Sequence, residues 1–152
     1  MKTQIREANA DDLPRLAPLF DAYRVFYGQS SNAYAAQFFL SERMRRNESK
    51  IFIAVDAESF QTVGFTQLYP SFSSIRVGRM WILEDLYVRA DARRTGVGNA
   101  LMARAEMFAK ETGAVGVTLS TATANAVAQA LYEKRGYVRD TTFFVYNRYF
   151  PV

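Results

Sequence analysis

Apolar side chains recur at intervals of three and four residues through the first third of the chain. This spacing places them on one face of a helix, so it predicts a helix from about residue 12 to residue 27 and a second one ending near Arg46. Pro14 is tolerated in the first helical turn, and the segment 28–32 separates the two helices. The apolar positions of the first helix are Leu13, Leu16, Phe20, Tyr23 and Tyr27.

The middle of the chain changes to apolar runs that are typical of strands. After a short strand at 5–8, the pattern predicts strands at 51–55, 62–69 and 79–88, with a serine-rich loop at 70–75. A third helix is predicted over 97–112, because its apolar residues share one face and Gly113 follows it. The remaining predicted elements are a strand at 115–120, a helix from 126 to 134, and strands at 137–139 and 143–149.

The order β-α-α-β-β-β-α-β-α-β-β predicts one mixed α/β domain over residues 1–152, a length that suits a single domain. No apolar run approaches the roughly 18 residues of a membrane span. The first residues also lack the apolar core of a signal peptide. We therefore expect a cytoplasmic protein without a membrane partner.

Cysteine and histidine are both absent. This excludes a disulfide framework, a Cys/His metal site, a thiolate nucleophile and a Ser-His-Asp triad. Proton transfer near neutral pH is left to carboxylates, tyrosine, lysine, water or a terminus, and no metal is expected. The net charge is +4, but the basic residues are scattered, so we expect no nucleic-acid partner.

The segment Arg93-Arg94-Thr95-Gly96-Val97-Gly98 joins a predicted strand to a predicted helix. Its glycines allow close backbone approach, and the start of a helix presents unpaired N–H groups with a positive dipole end. These features predict a cradle for an anion such as pyrophosphate. A dinucleotide fingerprint would place glycine or alanine where Leu101 stands, and a P-loop would need Gly-Lys-Ser/Thr. From this segment alone, an ordinary strand-to-helix loop with turn glycines remains the alternative.

A second segment, Asn125 to Tyr137, lies about 30 residues downstream. The two segments together resemble the Gcn5-related N-acetyltransferase (GNAT) family, whose acetyl-CoA loop reads Arg/Gln-x-x-Gly-x-Gly/Ala and whose later helix reads Asn-x-x-Ala-x-x-Leu-Tyr-x-x-x-Gly-Phe/Tyr. The resemblance covers essentially the whole chain. It implies the GNAT fold, α/β (α+β), with a mixed central sheet of about seven strands and four helices. It also implies a V-shaped splay between strands 4 and 5.

The resemblance further implies acetyl-CoA as co-substrate and no metal. Its pyrophosphate would bind the glycine loop, and its pantetheine arm would fill the splay beside strand 4. The cofactor-binding residues implied in this way are Leu86, Tyr87, Val88, Arg93, Arg94, Thr95, Gly96, Val97, Gly98, Asn99, Asn125, Ala128, Tyr132 and Lys134.

Acetyl transfer needs a neutral amine, a stabilised oxyanion and a proton for the leaving thiolate. Tyr132 stands at the motif position of the general acid, with packing on its helix as the alternative. Glu84 and Asp85 interrupt an otherwise apolar strand, which is costly unless the carboxylates are used or paired. We favour Glu84 as the base and Asp85 as a site wall for a cationic amine, and the two roles could be exchanged. The alternative is a salt bridge with a nearby arginine.

The run Leu-Glu-Asp-Leu-Tyr-Val at 83–88 resembles the histone/polyamine, spermidine/spermine-like branch of the family. It favours a small polyamine or aminoalkyl acceptor over a protein lysine or N-terminus. Tyr27 and Tyr34 flank the turn at Gly28 and are candidates for the acceptor pocket. We expect a homodimer, as is common in this family. A non-catalytic acyl-CoA-binding domain is the alternative function.

Overall fold

A computed structural model describes residues 1–152. The chain forms five β-strands and four α-helices in the order β1-α1-α2-β2-β3-β4-α3-β5-α4. The strands are β1 (Thr3–Glu7), β2 (Lys50–Asp56), β3 (Thr62–Ser73), β4 (Gly78–Val88) and β5 (Gly116–Thr118). The helices are α1 (Leu13–Phe26), α2 (Ala33–Arg45), α3 (Val97–Glu111) and α4 (Ala126–Lys134).

The chain divides into two compact units, Met1–Ser120 and Thr121–Val152. The first unit holds the whole sheet and helices α1 to α3. The second holds α4 and a C-terminal segment without helix or strand. None of the helices has the length and apolar content needed to cross a bilayer.

The strands of the sheet follow the order β1-β2-β3-β4-β5. Pairing is antiparallel from β1 to β4 and parallel between β4 and β5. β4 pairs with β3 along its whole length, whereas β5 pairs only with Met80–Ile82. The stretch Leu83–Val88 therefore has a neighbouring strand on one side only. β5 is the last strand in this order.

Alternation along β2 places a helical layer on each face of the sheet. Ile53 belongs to the buried cluster that includes Leu16 of α1 and Leu40 of α2. The preceding residue, Phe52, points the other way and packs against Phe108 of α3, with ring centroids 5.5 Å apart. Each fully buried side chain of this size contributes roughly 1.5–3 kcal/mol to stability. The two layers fix β3 and β4 between them.

The prediction of about seven strands is wrong, because neither C-terminal segment enters the sheet. Residues 137–139 and 143–149 form no strand in the structure. A strand-like composition shows that a segment suits a pleated surface, but the strand itself needs a neighbour whose backbone completes its hydrogen bonds.

The predicted loop at 70–75 is also wrong in part, since β3 continues to Ser73. Pro70 stands opposite Trp81 of β4, while β2 pairs with β3 only as far as Leu68. The side of β3 that faces β2 has no ladder at this point, so the missing N–H of proline is tolerated. The other predicted elements of the first unit and α4 are confirmed, within about three residues at each end.

Candidate active site

The loop between β4 and α3 ends at a helix start with no side-chain cap. α3 begins directly after Gly96, whose φ of 85° lies in the left-handed region, and its first turn contains no acidic residue. Arg94 also has a positive φ, 62°, and the Thr95 hydroxyl donates to the carbonyl of Ala92. N–H groups at a helix start have no partner within the helix, and such turns form concave anion-binding surfaces. The loop can therefore hold a phosphate group through its backbone.

The side chain of Arg93 connects this loop to β4 and α1. Its Nε donates to the carbonyl of Val88 over 2.8 Å. Its guanidinium carbon lies 5.3 Å from the ring centroid of Tyr87 and 5.7 Å from that of Phe26. Both distances are within the range of cation–π attraction. Arg93 thus fixes the position of the loop relative to the end of β4.

The end of β4 offers one free backbone edge beside the loop. Leu86, Tyr87 and Val88 pair with β3 on one side. The pairing with β5 ends at Ile82, so no strand lies on their other side. Of the backbone groups on that side, the Val88 carbonyl accepts from Arg93. An extended ligand with amide groups can pair with such an edge in the way a strand does.

Asp85 is buried inside the sheet, with 6% of its surface exposed. Its Oδ2 accepts a hydrogen bond of 2.7 Å from Nε2 of Gln67, which stands opposite it on β3. Its backbone carbonyl accepts from the hydroxyl of Thr66 over 2.8 Å. The Oε1 atom of Gln67 is buried and has no hydrogen-bond partner. The carboxylate therefore has one strong donor beside it and an unsatisfied acceptor close by.

Burial raises the pKa of Asp85 to about 6, and the charge of Glu84 adds to the rise. Hydrogen bonds from Gln67 and Tyr23 favour the ionised form and partly oppose it. A carboxyl group with this pKa is mostly ionised at pH 7 and still accepts a proton readily. The Asp85 carboxylate is therefore a stronger proton acceptor than an aspartate side chain in water.

Glu84 lies at a β-bulge and is exposed. Gln67 pairs with Asp85 and Leu68 pairs with Leu83, so Glu84 is the extra residue of β4 at this point. A bulge of this kind changes the direction of the side chains around it. The bulge gives the two neighbouring carboxylates different surroundings. Neither of them forms an ion pair with an arginine or lysine, so the salt-bridge alternative is wrong.

Two tyrosines lie near the Asp85 carboxylate. The hydroxyl of Tyr23, on α1, is 3.4 Å from the carbonyl oxygen of Glu84, and that of Tyr69, on β3, accepts from Nε2 of Gln67 over 3.3 Å. Burial, together with the charge of Asp85, raises the pKa of both phenols above the usual value. Both tyrosines therefore stay neutral at physiological pH, and each can donate a hydrogen bond.

The two tyrosines predicted for the acceptor pocket have different surroundings. Tyr27 packs edge-on against Tyr23, with ring centroids 5.1 Å apart, and so belongs to the aromatic group next to Asp85. Tyr34 is 81% exposed and stacks on Phe38, with centroids 6.4 Å apart. The structure joins Tyr27 to the carboxylate cluster and gives Tyr34 no described contact with it.

The predicted residues of the later helix lie in the second unit. Asn125 caps α4, and its side chain accepts from the N–H of Ala128 over 3.1 Å. The rings of Tyr132 and Tyr137 are 6.2 Å apart. Lys134 is exposed at the end of the helix. The cap at Asn125 confirms the expected start of this helix.

Three neighbours of Asp85 were not among the predicted site residues: Tyr23, Gln67 and Tyr69. Tyr23 was assigned to the apolar face of α1, where its phenol ring does lie. Gln67 carried a signal that could have found it, since it is a long polar side chain inside the apolar run 62–69. Its complete burial makes a hydrogen-bond partner obligatory.

Solved structures of acetyltransferases share this fold. A crystal structure described as a probable acetyltransferase is 43% identical to this chain, with a TM-score of 0.92 over 98% of this chain and 99% of that one. The family model described as "Acetyltransferase (GNAT) family" matches residues 14–137. The chain therefore belongs to the GNAT family of acetyltransferases, as the two motifs indicated.

Two relatives of this chain are also described as N-acetyltransferases. The uncharacterized N-acetyltransferase YhfO of Bacillus subtilis (strain 168) is 44% identical over 142 residues, which cover 93% of this chain and 94% of that one. The D-amino-acid N-acetyltransferase HPA3 of Saccharomyces cerevisiae is 33% identical over 97 residues, or 64% of this chain and 60% of that one. The chain is accordingly an acetyl-CoA-dependent N-acetyltransferase, and the non-catalytic alternative is set aside.

Proposed function

We propose that this enzyme transfers the acetyl group of acetyl-CoA to a primary amine by direct attack, with Asp85 as the general base. The amine nitrogen attacks the thioester carbonyl carbon, the C–N bond forms, and the C–S bond breaks. Asp85 accepts the proton that the amine loses, directly or through one water molecule. No cysteine is present to form a thioester intermediate on the enzyme, so both substrates are bound together when the acetyl group moves.

The observation that carries this proposal is the enclosed Asp85 carboxylate with its raised pKa. The sequence favoured Glu84 for this role and left the exchange of roles open. Glu84 is exposed at the bulge, where water can solvate its charge, whereas Asp85 is enclosed by Gln67 and Tyr23. We assign proton abstraction to Asp85, and attraction of a cationic amine to Glu84.

For the co-substrate, we propose that the backbone of Arg94 to Asn99 binds the pyrophosphate of acetyl-CoA. The left-handed Gly96 and the uncapped start of α3 support this assignment. The free edge of β4 at Leu86–Val88 supports placing the pantetheine amides there, in the splay that the resemblance implies. In the second unit, Asn125, Ala128 and Lys134 keep their implied cofactor contacts as part of the proposal.

Tyr132 is our proposed general acid, since it occupies the motif position from which a phenol reaches the coenzyme A sulfur in related enzymes. Donation of its proton to the departing thiolate completes the transfer, and solvent then reprotonates the phenolate. A phenol with a pKa near 10 is a suitable donor to a developing thiolate. This role requires residues 1–152 to work as one catalytic domain, which the match of the family model across 14–137 supports.

The acceptor that we favour is a small cationic amine of the polyamine or aminoalkyl type, ahead of a protein lysine or N-terminus. The carboxylates of Glu84 and Asp85 can attract an ammonium group, and the rings of Tyr23 and Tyr27 can contact an apolar chain attached to it. Both features support an acceptor of this type. The name of the yeast relative adds D-amino acids to the acceptors worth testing. A cytoplasmic location stays a prediction.

The experiment is a thiol-release assay with acetyl-CoA and a panel of polyamines, aminoalkyl compounds, D- and L-amino acids and lysine peptides. The chain contributes no thiol of its own, so the signal reports coenzyme A alone. We expect turnover with at least one polyamine or aminoalkyl compound, and initial-rate plots that intersect, as for a ternary complex. Parallel plots would indicate an acetyl-enzyme and contradict direct attack. Turnover confined to amino acids or peptides would contradict the acceptor class.

A further inference from the structure

A pocket of about 450 Å³ lies between helix α1, the start of β3 and the end of β4. All of its lining residues belong to the unit Met1–Ser120. Pro18, Leu19 and Ala22 of α1 form an apolar wall, and polar side chains from Arg15 and from the two strands complete the lining. A concave site of this volume, with apolar walls and a few polar groups, is typical of small-molecule binding.

This pocket is separate from the candidate active site. Neither Tyr23 nor Asp85 lines it, and no residue of the loop 93–99 does so. Tyr87 lines the pocket and also packs against Tyr23, with ring centroids 5.9 Å apart. A ligand can therefore occupy the pocket while acetyl-CoA is bound, close to the aromatic group of the active site.

Arg15 brings a positive charge to the pocket without a carboxylate partner. Its Nη1 makes one long hydrogen bond, of 3.5 Å, to the backbone carbonyl of Phe60. Asp12, which is the nearest acidic residue along the chain, pairs instead with Arg6 over 2.7 Å. A guanidinium group has five N–H donors, so most of those on Arg15 are available to a ligand.

A second arginine, Arg89, is held in place and orients Gln61. Its Nε and Nη2 donate to the two carboxylate oxygens of Asp91, over 2.6 Å and 3.0 Å. Its Nη1 donates to Oε1 of Gln61 over 2.8 Å. Because the amide oxygen of Gln61 is engaged in this way, its N–H groups are the part left to bind a ligand.

The lining of the pocket contains no acidic side chain. Its polar groups are two guanidinium groups, the amide of Gln61, and the hydroxyls of Thr62 and Tyr87. One of the two cations, Arg15, has no counter-charge. Guanidinium groups bind carboxylate and phosphate oxygens in a two-point geometry. The pocket therefore suits an anionic group attached to an apolar body.

We propose that this pocket binds a small organic anion, namely a carboxylate or a phosphate monoester with an apolar body. Arg15 and the amide of Gln61 bind the anionic group. Pro18, Leu19 and Ala22 contact the apolar body. The proposal does not depend on which amine the enzyme acetylates or on which carboxylate is the base.

The test uses the full-length protein saturated with acetyl-CoA, so that an anionic probe does not enter the cofactor site. Benzoate and phenyl phosphate are added in separate titrations, and the backbone amide signals are followed by two-dimensional NMR. We expect at least one of them to bind at millimolar concentration or below and to shift the signals of Ala22, Gln61 and Thr62. The two titrations distinguish a carboxylate ligand from a phosphate ligand.

Benzyl alcohol is the control ligand, because it has a similar apolar body and no charge. It should bind more weakly than the better anion by about tenfold or more. Failure of both anions to shift the pocket signals would overturn the proposal. Equal affinity for benzyl alcohol would overturn it as well, since the pocket would then recognise the apolar body alone.

A charge variant tests whether the anion binds at this pocket. Arg15→Gln removes the unpaired charge and should weaken binding of the better anion by about tenfold or more. Arg76→Gln is the matched control, because it removes an exposed arginine from the turn between β3 and β4. Its affinity should equal that of the parent protein. Equal affinities of Arg15→Gln and Arg76→Gln would contradict the assignment.

A second variant tests the pocket without removing a charge. Ala22→Phe fills the pocket from an exposed position of α1, where a larger side chain leaves the core undisturbed, and it should abolish binding. The spectrum of each variant without ligand shows whether it is folded, so either variant tests the site by itself. Binding of the anion to folded Ala22→Phe protein with the parent affinity would overturn the proposal.

Discussion

Nε2 of Gln67 lies 2.7 Å from Oδ2 of Asp85, and both residues are buried, Gln67 on β3 and Asp85 on β4. The same amide keeps an acceptor, Oε1, without a partner. Rotation of a carboxamide by about 180° places its oxygen where its nitrogen was. Gln67 can therefore donate to the ionised Asp85 and accept from the protonated form, which suits a base that must hold a proton for part of each cycle.

Replacement of Asp85 by asparagine should lower kcat/KM for the amine by roughly 10²–10⁴-fold, the usual contribution of a general base. Glu84→Gln is the matched control, since it removes the neighbouring carboxylate and leaves the enclosed one. We expect it to raise KM for a cationic acceptor several-fold with a small change in kcat. Steady-state kinetics with saturating acetyl-CoA measures both. If Glu84→Gln is the severe variant and Asp85→Asn the mild one, the roles are exchanged.

The pH profile of kcat/KM should fall on the acid side with an apparent pKa near 6, as Asp85 becomes protonated. Gln67→Leu removes a hydrogen bond that favours the ionised form, so its acid limb should move to higher pH by about one unit. Tyr69→Phe is the control, because Tyr69 accepts from Gln67 and has no hydrogen bond to Asp85. If the acid limb of Gln67→Leu stays at the pH of the parent protein, that limb does not report the ionisation of Asp85.

Ionisation of Asp85 should also lower the free energy of unfolding. Its pKa is raised from 3.8 to about 6 in the folded state, so the native protein binds this proton more tightly than the unfolded chain does. The contribution of this group to the free energy of unfolding therefore falls as pH rises from about 4 to about 6 and stays low above that range. Two pKa units correspond to at most about 3 kcal/mol.

Thermal unfolding of Asp85→Asn against the parent protein measures this cost. We expect the variant to melt several degrees higher at pH 8, and the difference to shrink towards zero at pH 4. The effect of Glu84→Gln on Tm should be small at both pH values, since the side chain is exposed. A variant that melts lower than the parent at pH 8 would mean that the Gln67–Asp85 pair stabilises the fold.

Gly96→Ala should weaken acetyl-CoA binding by about tenfold or more. Gly96 has a φ of +85° with nothing near its missing Cβ, so the effect comes from backbone strain of about 1 kcal/mol and from movement of the N–H groups. Gly113→Ala is a matched control, with φ of +76° and equally open surroundings at the other end of α3. Calorimetric titration with acetyl-CoA distinguishes them. Equal affinities of the two variants for acetyl-CoA would show that the loop at Gly96 does not bind the cofactor.

Tyr132→Phe should lower turnover by roughly 10- to 100-fold, the scale of losing a proton donor, with little change in the affinity for acetyl-CoA. Tyr137→Phe is the control from the same aromatic pair. Its turnover should stay close to that of the parent protein. An acceptor-dependent rate that Tyr132→Phe leaves unchanged would assign Tyr132 to packing.

Much of the fold was predictable because its signals are local. The spacing of Leu16 and Phe20 predicts α1, and the glycines on either side of α3 predict its ends. The C-terminal strands were not predictable in the same way, since the run at 143–149 shows suitability for a sheet and says nothing about whether a neighbouring strand completes its hydrogen bonds. For the same reason, the strand through Pro70 depended on where β2 stops, which no local pattern contains.

The site was predictable only in part. The pair Glu84-Asp85 was visible because charge is costly inside an apolar strand. Which of the two is enclosed depends on the bulge opposite Gln67 and Leu68, a property of the pairing between strands. The position of Tyr23 in the site was equally difficult to predict, since its ring contributes to the core while its hydroxyl reaches the carbonyl of Glu84. A helical apolar pattern does not distinguish such a tyrosine from a phenylalanine.

The extra residue at Glu84 reverses the parity of β4. Before it, the odd-numbered Trp81 packs on Phe108 of α3; after it, the odd-numbered Tyr87 packs on Tyr23 of α1. Without Glu84, Leu83 and Asp85 would be direct neighbours on opposite faces of a regular strand, and Asp85 would still face α1. The insertion thus lets one strand carry two consecutive acidic residues, one directed to the interior and one to water, while its apolar side chains keep their layers.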